Sequence, residues 1–365
     1  MALQNDRMIT DVADLVSVLP AAEREVFESL FHISATIGYL NPPEEMHSWI
    51  ETHFGSVEAV RSQRIVKITN LITLEGALFN EIRARRPIET EEVAKLTREF
   101  REKGDPFCKP LEGTPEDIFG RVRGRHSITA SNIAKYDGFH GLVIFDEHNP
   151  LAFSAEEVSD YIDTALAWAR KAHEVDQEAR YFFFMWNCLW KSGASILHGH
   201  AQVSLGRDIH YARVEQLRRA ALLYRADKGT NYFDDLYTAH RALGLTVENG
   251  GTRIMAYLTP IKEKEVLLIS EELGEDLKDS IFKVLRCFTG RLGVHSFNLA
   301  LYLPPIDSVE EDWSGFPTLV RIVDRGDVNN KTSDMGAMEL YASSVIASAP
   351  FRVIKALRAY FHHLQ

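Results

Sequence analysis

One order of secondary-structure elements occurs twice in this chain, and no other feature restricts the possible folds as much. Each copy consists of two predicted strands, a helix and two further strands. In the first copy the predicted strands are residues 126–130, 141–145, 181–186 and 198–202, and the helix begins at Ser154. In the second copy the predicted strands are residues 254–258, 265–269, 297–303 and 318–323, and the helix covers residues 275–292. Strand runs interrupted by a single helix favour sequential antiparallel pairing. The repeat therefore predicts an α+β fold of two tandem units, with mainly antiparallel sheets and helices on one face.

Histidine and glutamine alternate in the last strand of the first copy. His198, His200 and Gln202 stand two residues apart, so a strand would turn all three side chains to one face. The preceding Gly193 and Ser195 offer backbone N–H groups and a hydroxyl without bulk, which suits a phosphate. An imidazole beside phosphate donors serves as a nucleophile towards phosphorus or as a metal ligand, and the spacing alone leaves both roles open.

The segment from Asn187 to Gln202, which reads NCLWKSGASILHGHAQ, resembles the active-site signature of galactose-1-phosphate uridylyltransferases and their relatives in the histidine-triad superfamily. The family pattern has Asn, then Gly and Ser, then His-Pro-His-Gly-Gln, and the spacing agrees without a gap. The resemblance implies that His200 is the nucleophile and that Gln202 holds a non-bridging oxygen of the transferred phosphate. It also implies that Asn187, Gly193 and Ser195 line the diphosphate.

Two positions within the motif depart from the family pattern. Gly199 replaces the usual Pro, which we expect to cost only rigidity, and Leu189 replaces a frequent Gly beside the nucleotide pocket. The smaller histidine-triad hydrolases have a third His where this chain has Gln202. Gln202 therefore favours the transferase and phosphorylase branch of the superfamily.

A second similarity concerns a metal. Residues 105–110, which read DPFCKP, resemble the family's Cys-x-x-Cys-Pro zinc hairpin with Asp105 in place of the first Cys. His148 and His198 fall on the family's two zinc-binding His positions. The resemblance thus implies a structural zinc held by Asp105, Cys108, His148 and His198, a donor set that tetrahedral zinc accepts. A carboxylate with one thiolate binds zinc less tightly than two thiolates, so the alternative is that Asp105 marks a lost site.

The second copy lacks an imidazole where the first copy has the motif, because residues 320–325 read VRIVDR. The resemblance implies this arrangement, a duplicated fold with the nucleophile in the first half. It also predicts no iron site, since the iron-binding relatives use a His pair in the second half. Residues 336–339 loosely resemble a Gly-aromatic-Glu segment at the family's sugar-phosphate site, which makes Lys331 and Glu339 candidates for sugar binding. An ordinary helix start is the alternative, and the following helix is predicted to end at Arg358.

Charge and composition exclude several classes of function. A net charge of −11 at pH 7 argues against a general nucleic-acid binder, whose affinity depends on neutralising phosphates. Three cysteines are too few for a disulfide framework, the first residues do not read as a secretion signal, and no apolar stretch approaches a membrane span. We therefore expect a cytoplasmic protein. Arg121, Arg123 and Arg125 alternate along a predicted strand, whose face either is solvated or attracts phosphate.

Residues before about position 96 do not fit the repeat. They read as helices, predicted at residues 9–19, 22–30, 43–54, 56–66 and 69–85. The predicted domains are a helical N-terminal module (1–95), a first histidine-triad-like domain with the active site (96–240) and a second such domain (241–365). The module either covers the cleft, supports a homodimer, or does neither.

Together the residues and the resemblance predict an enzyme that moves a nucleoside monophosphate group from a nucleotide sugar to a hexose 1-phosphate through a nucleotidyl-histidine. One alternative is a phosphorylase of an ADP-sugar or a dinucleoside polyphosphate, with inorganic phosphate as the acceptor. A third reading is a nucleotide-binding regulator without turnover. Such a regulator has no need to keep both His200 and Gln202.

Overall fold

The N-terminal part of the chain combines helices with strands. A computed structural model of the protein describes residues 7–80, 82–83, 104–330, 333 and 335–362. The N-terminal elements are α1 (Val12–Ser17), α2 (Ala21–Leu30), β1 (Phe31–Tyr39), α3 (His47–Phe54), α4 (Val57–Arg61), β2 (Ser62–Asn70) and β3 (Gly76–Phe79). The prediction of a purely helical module is therefore wrong at β1, β2 and β3. The predicted boundary at residues 95 and 96 lies outside the described residues.

Pairing between distant segments explains this error. β1 and β2 contain several β-branched residues and pair antiparallel along their whole length, from Phe31 opposite Asn70 to Tyr39 opposite Ser62. Short apolar runs look alike in a helix and in a strand when only the sequence is read. The partner strand, about thirty residues away along the chain, decides between the two.

The two tandem units follow. The first part contains α5 (Pro110–Gly113), β4 (Ser127–Ser131), β5 (Phe139–Phe145), α6 (Ala155–Val175), β6 (Ala179–Cys188), β7 (His200–Arg207), α7 (Ala212–Lys228) and α8 (Tyr232–Ala242). The second part contains β8 (Thr246–Asn249), β9 (Thr252–Ala256), β10 (Val266–Ser270), α9 (Glu275–Gly290), β11 (Phe297–Tyr302), β12 (Thr318–Asp324), α10 (Ala337–Tyr341), β13 (Ser344–Ile346) and α11 (Pro350–His362).

One continuous antiparallel sheet joins the two units. Its nine strands run in the order β4-β5-β7-β6-β11-β12-β10-β9-β8. The first unit supplies β4-β5-β7-β6, and the second supplies β11-β12-β10-β9. The second order is the first one in reverse, so the units are related by a rotation about the paired strands β6 and β11. The α+β fold and its internal duplication are thereby confirmed. The α6 helix begins with the predicted capping box of Ser154 and Glu157.

The two faces of this sheet have different surroundings. Directly paired residues share a face, and one row of pairs crosses the sheet from the first unit to the second. The row contains Gln202, Met185, Ala300 and Arg321. The α6 and α9 helices pack against each other and on the opposite face, where α11 joins them, as the prediction of helices on one face requires. The α8 helix departs from it, because Asp234 of α8 accepts from Arg253 on the face of the row.

The C-terminal segment returns to the N-terminal sheet. β13 pairs with β3 in parallel and completes a four-stranded sheet in the order β1-β2-β3-β13. This strand interrupts the region that the sequence predicted as a turn leading into one helix. No helix in the described ranges is long and apolar enough to cross a membrane.

Candidate active site

The loop between β6 and β7 carries the sequence motif. It begins at Leu189, whose backbone has φ 66° and ψ 171°, a region that favours glycine. Gly, which the resembling uridylyltransferases often have at this position, would adopt this backbone without strain. The Leu189 side chain is 2% exposed, so burial offsets part of the strain. A short 3-10 turn (Trp190–Ser192) follows and ends at Gly193, which has φ 98°. Ser195 lies exposed on the same loop.

His200 is the first residue of β7 and is buried. Its Nδ1 lies 2.8 Å from the carbonyl oxygen of His198, which only accepts, so Nδ1 carries the proton and the Nε2 lone pair remains for chemistry. Burial lowers the pKa of His200 below its ordinary value, and the ring is therefore neutral at pH 7. The ring packs edge-on against Phe107, with the centroids 5.0 Å apart.

Gln202 lies two residues further on the same face of β7 and is also buried. Its Oε1 lies 3.0 Å from Nε2 of His140, at the start of β5. The Tyr136 backbone N–H donates to Nδ1 of the same His140 ring over 3.1 Å. The sequence interpretation missed His140. The alternation of His140 with Leu142 along β5 indicates a site residue only when the pairing of β5 with β7 is known.

Asn187 shares this face. Two residues beyond the Met185–Gln202 pair, β6 and β7 reach Asn187 and His200 respectively. Across the junction of the two units, Asn298 of β11 pairs with Asn187 and donates to its Oδ1 over 2.6 Å. Asn298 is a second residue that the sequence interpretation missed. Its only sequence signal is an amide in an otherwise apolar central strand.

The four predicted metal ligands come together. The Nδ1 atoms of His148 and His198 lie 3.1 Å apart, and the Cys108 Sγ lies 3.5 and 3.6 Å from them. The Asp105 carboxylate lies 3.6 Å from each of these three atoms. His198 donates from Nε2 to the Phe145 carbonyl oxygen over 2.8 Å, which leaves its Nδ1 lone pair facing the cluster. These four residues can hold a metal ion.

Other candidate residues lie outside this arrangement. The predicted strand over residues 120–126 is wrong, because Gly120 and Arg123 form only isolated bridges there. Its three arginines have separate partners, which are the Thr114 and Thr129 carbonyl oxygens, the Asp146 carboxylate and the Glu156 carboxylate. Glu339 accepts from the Gly336 backbone N–H over 3.0 Å and so caps α10, as the helix-start alternative predicted. Lys331 lies outside the described residues.

Gly199 contradicts the expectation that its difference from Pro costs only rigidity. A Cβ at this position would lie 2.7 Å from Cδ2 of Phe145 and 3.1 Å from the Glu147 carbonyl oxygen. The Gly199 N–H also donates to the His148 carbonyl oxygen over 3.1 Å, a bond that Pro cannot make. The close approach of these segments therefore requires Gly at this point of the motif.

Solved structures share this fold with little sequence identity. An ADP-glucose phosphorylase from Arabidopsis thaliana with bound ADP-glucose has a TM-score of 0.60 at 16% identity, over 79% of this chain and 96% of that chain. A GalT-like protein from Arabidopsis thaliana has a TM-score of 0.59 at 16% identity, over 80% and 97%. A uridylyltransferase has a TM-score of 0.57 at 14% identity, over 81% and 98%. No protein-family model and no curated protein sequence matches the chain. The similarities confirm the fold that the motif implied.

Proposed function

We propose that this protein is an enzyme that transfers a nucleotidyl group from a nucleoside diphosphate sugar to a phosphate-bearing acceptor, through a covalent intermediate on His200. One observation carries the proposal. A neutral imidazole, protonated on Nδ1 by its bond to the His198 carbonyl oxygen, lies on the same face as the amides of Gln202 and Asn187. A nucleophile towards phosphorus needs such a lone pair, and amide donors stabilise charge on the phosphate oxygens.

The reaction takes place in two displacements. Nε2 of His200 attacks the α-phosphorus, the P–O bond to the sugar phosphate breaks, and the sugar 1-phosphate leaves with the electron pair. An oxygen of the acceptor phosphate then attacks the same phosphorus, and the P–N bond breaks with its electron pair returning to Nε2. In both steps the His198 carbonyl oxygen stabilises the positive charge that the ring acquires.

Two acceptors are compatible with this chemistry. A hexose 1-phosphate makes the enzyme a transferase of the uridylyltransferase type, and inorganic phosphate makes it a phosphorylase. Two observations favour phosphorolysis as the second candidate. An ADP-glucose phosphorylase shares the fold, and Glu339, the residue proposed for sugar binding by resemblance, caps a helix instead.

The test uses the full chain with α-³²P-labelled UDP-glucose or ADP-glucose. With donor alone we expect label on the protein that survives alkali and is lost in acid, as phosphohistidine requires. Galactose 1-phosphate and inorganic phosphate are then added separately, and the acceptor that drains the intermediate faster identifies the reaction. Parallel initial-rate lines would indicate a double displacement. Donor binding without labelling or product would overturn the proposal in favour of a regulator.

We further propose that Asp105, Cys108, His148 and His198 hold one structural zinc ion. A tetrahedral zinc with ligands about 2.1–2.3 Å away separates those ligands by about 3.4–3.8 Å. The Cys108 Sγ lies 3.5 and 3.6 Å from the two Nδ1 atoms, within this range, whereas the two Nδ1 atoms are 3.1 Å apart and would move slightly outwards. The ion would fasten the segment around Cys108 to the loop before β7, while His200 performs the chemistry. All four protein ligands are used, so the ion has no open position for a substrate.

Elemental analysis tests the metal. We expect one zinc per chain, and a chelator should lower the melting temperature more than the initial rate. Cys108→Ser should lose the zinc and reduce thermal stability. If the wild-type protein is folded without metal and Cys108→Ser has the same melting temperature, the proposed zinc site is wrong.

A further inference from the structure

We infer that His140, a residue outside the sequence motif, is a positioning residue that turns the amide NH2 group of Gln202 towards the substrate phosphate. The inference rests on the proposed nucleotidyl transfer at His200. A glutamine side chain can meet a phosphate with its NH2 group or with its oxygen, and only the NH2 group attracts an anion. Whatever fixes the amide therefore decides whether Gln202 assists or opposes the reaction.

The shortest hydrogen bonds around His140 favour one position for its proton. The Tyr136 backbone N–H can only donate, so Nδ1 of His140, 3.1 Å away, accepts. In a neutral ring the proton then lies on Nε2, which donates to Oε1 of Gln202 over 3.0 Å. Asn132 Nδ2 lies 3.3 Å from Nε2 and faces it as a competing donor, because Oδ1 of Asn132 accepts from the Ala134 N–H. The shorter contacts to the Tyr136 N–H and to Gln202 decide the tautomer. With its oxygen engaged, Gln202 presents its NH2 group on the face of His200.

Two further contacts hold the ring in place. The Tyr136 ring stacks on the His140 ring, with centroids 4.2 Å apart and 20° between the planes. Lys135 donates to the His140 carbonyl oxygen over 3.0 Å. His140 itself is completely buried, and burial lowers its pKa, so the neutral ring persists at pH 7.

Two substitutions at position 140 separate positioning from packing. In His140→Asn the shorter amide can accept from the Tyr136 N–H but cannot reach Gln202. His140→Gln can place an NH2 group where Nε2 was, and so keeps the donor to Gln202. We expect His140→Asn to lower kcat/KM for nucleotidyl transfer from ADP-glucose or UDP-glucose by about 10–100-fold, as loss of an oriented donor does. His140→Gln should stay within about fivefold of wild type.

A double-substitution cycle identifies the route of the effect. If His140 acts through Gln202, His140→Asn should change the rate of Gln202→Ala by less than about twofold. Additive losses of kcat/KM in the double variant would overturn the inference. It would also be overturned if Gln202→Ala lowered kcat/KM and His140→Asn did not.

A measurement on the wild-type protein needs neither activity nor a variant that folds. Long-range ¹H–¹⁵N spectra of ¹⁵N-histidine-labelled protein at pH 7 should show the Nε2–H tautomer for His140. The Nδ1–H tautomer would overturn the inference even if nucleotidyl transfer is found. If the Nε2–H tautomer is present and no donor labels His200, the orientation of Gln202 by His140 is supported and the proposed function fails.

A separate set of hydrogen bonds supports a second inference, that Asn298 and Arg325 of the second unit position Asn187. Arg325 can only donate, and its Nη1 lies 2.6 Å from Oδ1 of Asn298. The Ser192 carbonyl oxygen can only accept, and it lies 2.9 Å from Nδ2 of Asn298. The other proton of that NH2 group goes to Oδ1 of Asn187, so Asn187 also presents its NH2 group. The second unit would thus complete the phosphate site although it carries no motif.

Asn298→Asp tests this arrangement because Asp can accept from Arg325 but cannot donate to Asn187. We expect Asn298→Asp to lower kcat/KM by about 10-fold or more, and the addition of Asn187→Ala should cause no further loss. Arg325→Met should also lower kcat/KM, and Arg325→Lys should lower it less. In ¹⁵N-asparagine-labelled wild-type protein both side-chain protons of Asn298 should exchange slowly with solvent. Rapid exchange of either proton, or additive losses with Asn187→Ala, would overturn this inference.

Discussion

The position of one proton on each of three imidazole rings determines what the site can do. His200 carries its proton on Nδ1, which leaves Nε2 for phosphorus, whereas His198 donates from Nε2 and turns Nδ1 to the cluster with Asp105. His140 is held as a donor to Gln202 by the Tyr136 N–H. In each case a backbone group that can only donate or only accept fixes the tautomer.

Replacement of His200 by Gly tests its assignment as the nucleophile. We expect labelling by the nucleotide sugar and turnover to disappear, because the Nε2 lone pair that is proposed to attack phosphorus is removed with the ring. Nucleotide-sugar binding, measured by calorimetry, should stay within about fivefold, since the amide donors remain. Retention of turnover by His200→Ala would falsify the assignment.

At the scale of elements, the loop between β6 and β7 is shaped by three backbone requirements. Leu189 and Gly193 both have positive φ, and Gly199 lies against Phe145 and the Glu147 carbonyl oxygen. The loop is thereby held against the chain around His148, where Gly199 N–H donates to the His148 carbonyl oxygen. The proposed metal cluster and the proposed nucleophile, His200, are placed by the same close approach.

Gly199→Pro introduces the residue of the pattern that this motif resembles, yet we expect it to harm this protein. The ring would clash with Phe145 and remove the hydrogen bond to His148, which together should lower the free energy of unfolding by about 3 kcal/mol or more. Chemical denaturation and zinc content provide the measurement. Gly199→Ala is the control, since it adds the clash and keeps the N–H, and its loss should be smaller. A proline variant as stable as wild type would contradict the requirement for Gly.

At the scale of the whole molecule, a buried ionic network fastens the N-terminal sheet to the second unit. Arg321 of β12 donates to Glu265 over 2.6 Å and to Glu75, in the turn between β2 and β3, over 2.7 Å. The Tyr257 hydroxyl donates to the same Glu75 carboxylate over 2.7 Å. Burial raises the pKa of Glu265 above its ordinary value, although Arg321 opposes this change.

Arg321→Met should leave the buried Glu265 and the partly buried Glu75 without this counterion. We expect a loss of about 3–5 kcal/mol in the free energy of unfolding at pH 7 and a smaller loss at pH 5, because burial raises the pKa of Glu265 and so favours its protonation there. The same substitution combined with Glu75→Gln and Glu265→Gln is the control and should recover most of the loss. Equal losses in the single and triple variants would show that the charges are unimportant.

His240 makes stability depend on pH. Its Nδ1 donates to the Leu236 carbonyl oxygen, its Nε2 accepts from the Leu258 N–H, and burial lowers the pKa of His240 to about 4. As the pH falls, the unfolded chain therefore binds the proton before the folded chain does. The contribution of neutral His240 to the free energy of unfolding is complete above pH 6.5 and is lost as the pH falls to about 4. Relative to His240→Asn, wild type should lose about 3 kcal/mol between pH 7 and pH 4 in denaturant titrations. A constant difference between the two proteins would contradict this.

The sequence by itself determined the repeated α+β units and indicated two groups of candidate site residues. Strand and helix periods are local, so the eight repeat strands and the two repeat helices could be placed within a few residues. Asn187, His200 and Gln202 lie close together in the chain, and one strand face is enough to collect His200 and Gln202. The proposed metal ligands come from separate segments, since Cys108 lies 40 residues before His148 and 90 before His198, and only the family resemblance grouped them.

Tertiary structure alone decided the remaining features, because each depends on segments that are distant in the chain. β1 and β2 became strands by pairing with each other, and β13 did so by returning to β3. His140 reaches Gln202 only through the pairing of β5 with β7, and Asn298 reaches Asn187 only where the two units share a sheet. The tight fit of Gly199 likewise arises from the approach of Phe145. A periodic pattern records which face a residue occupies, but pairing across the sheet determines which residue it meets.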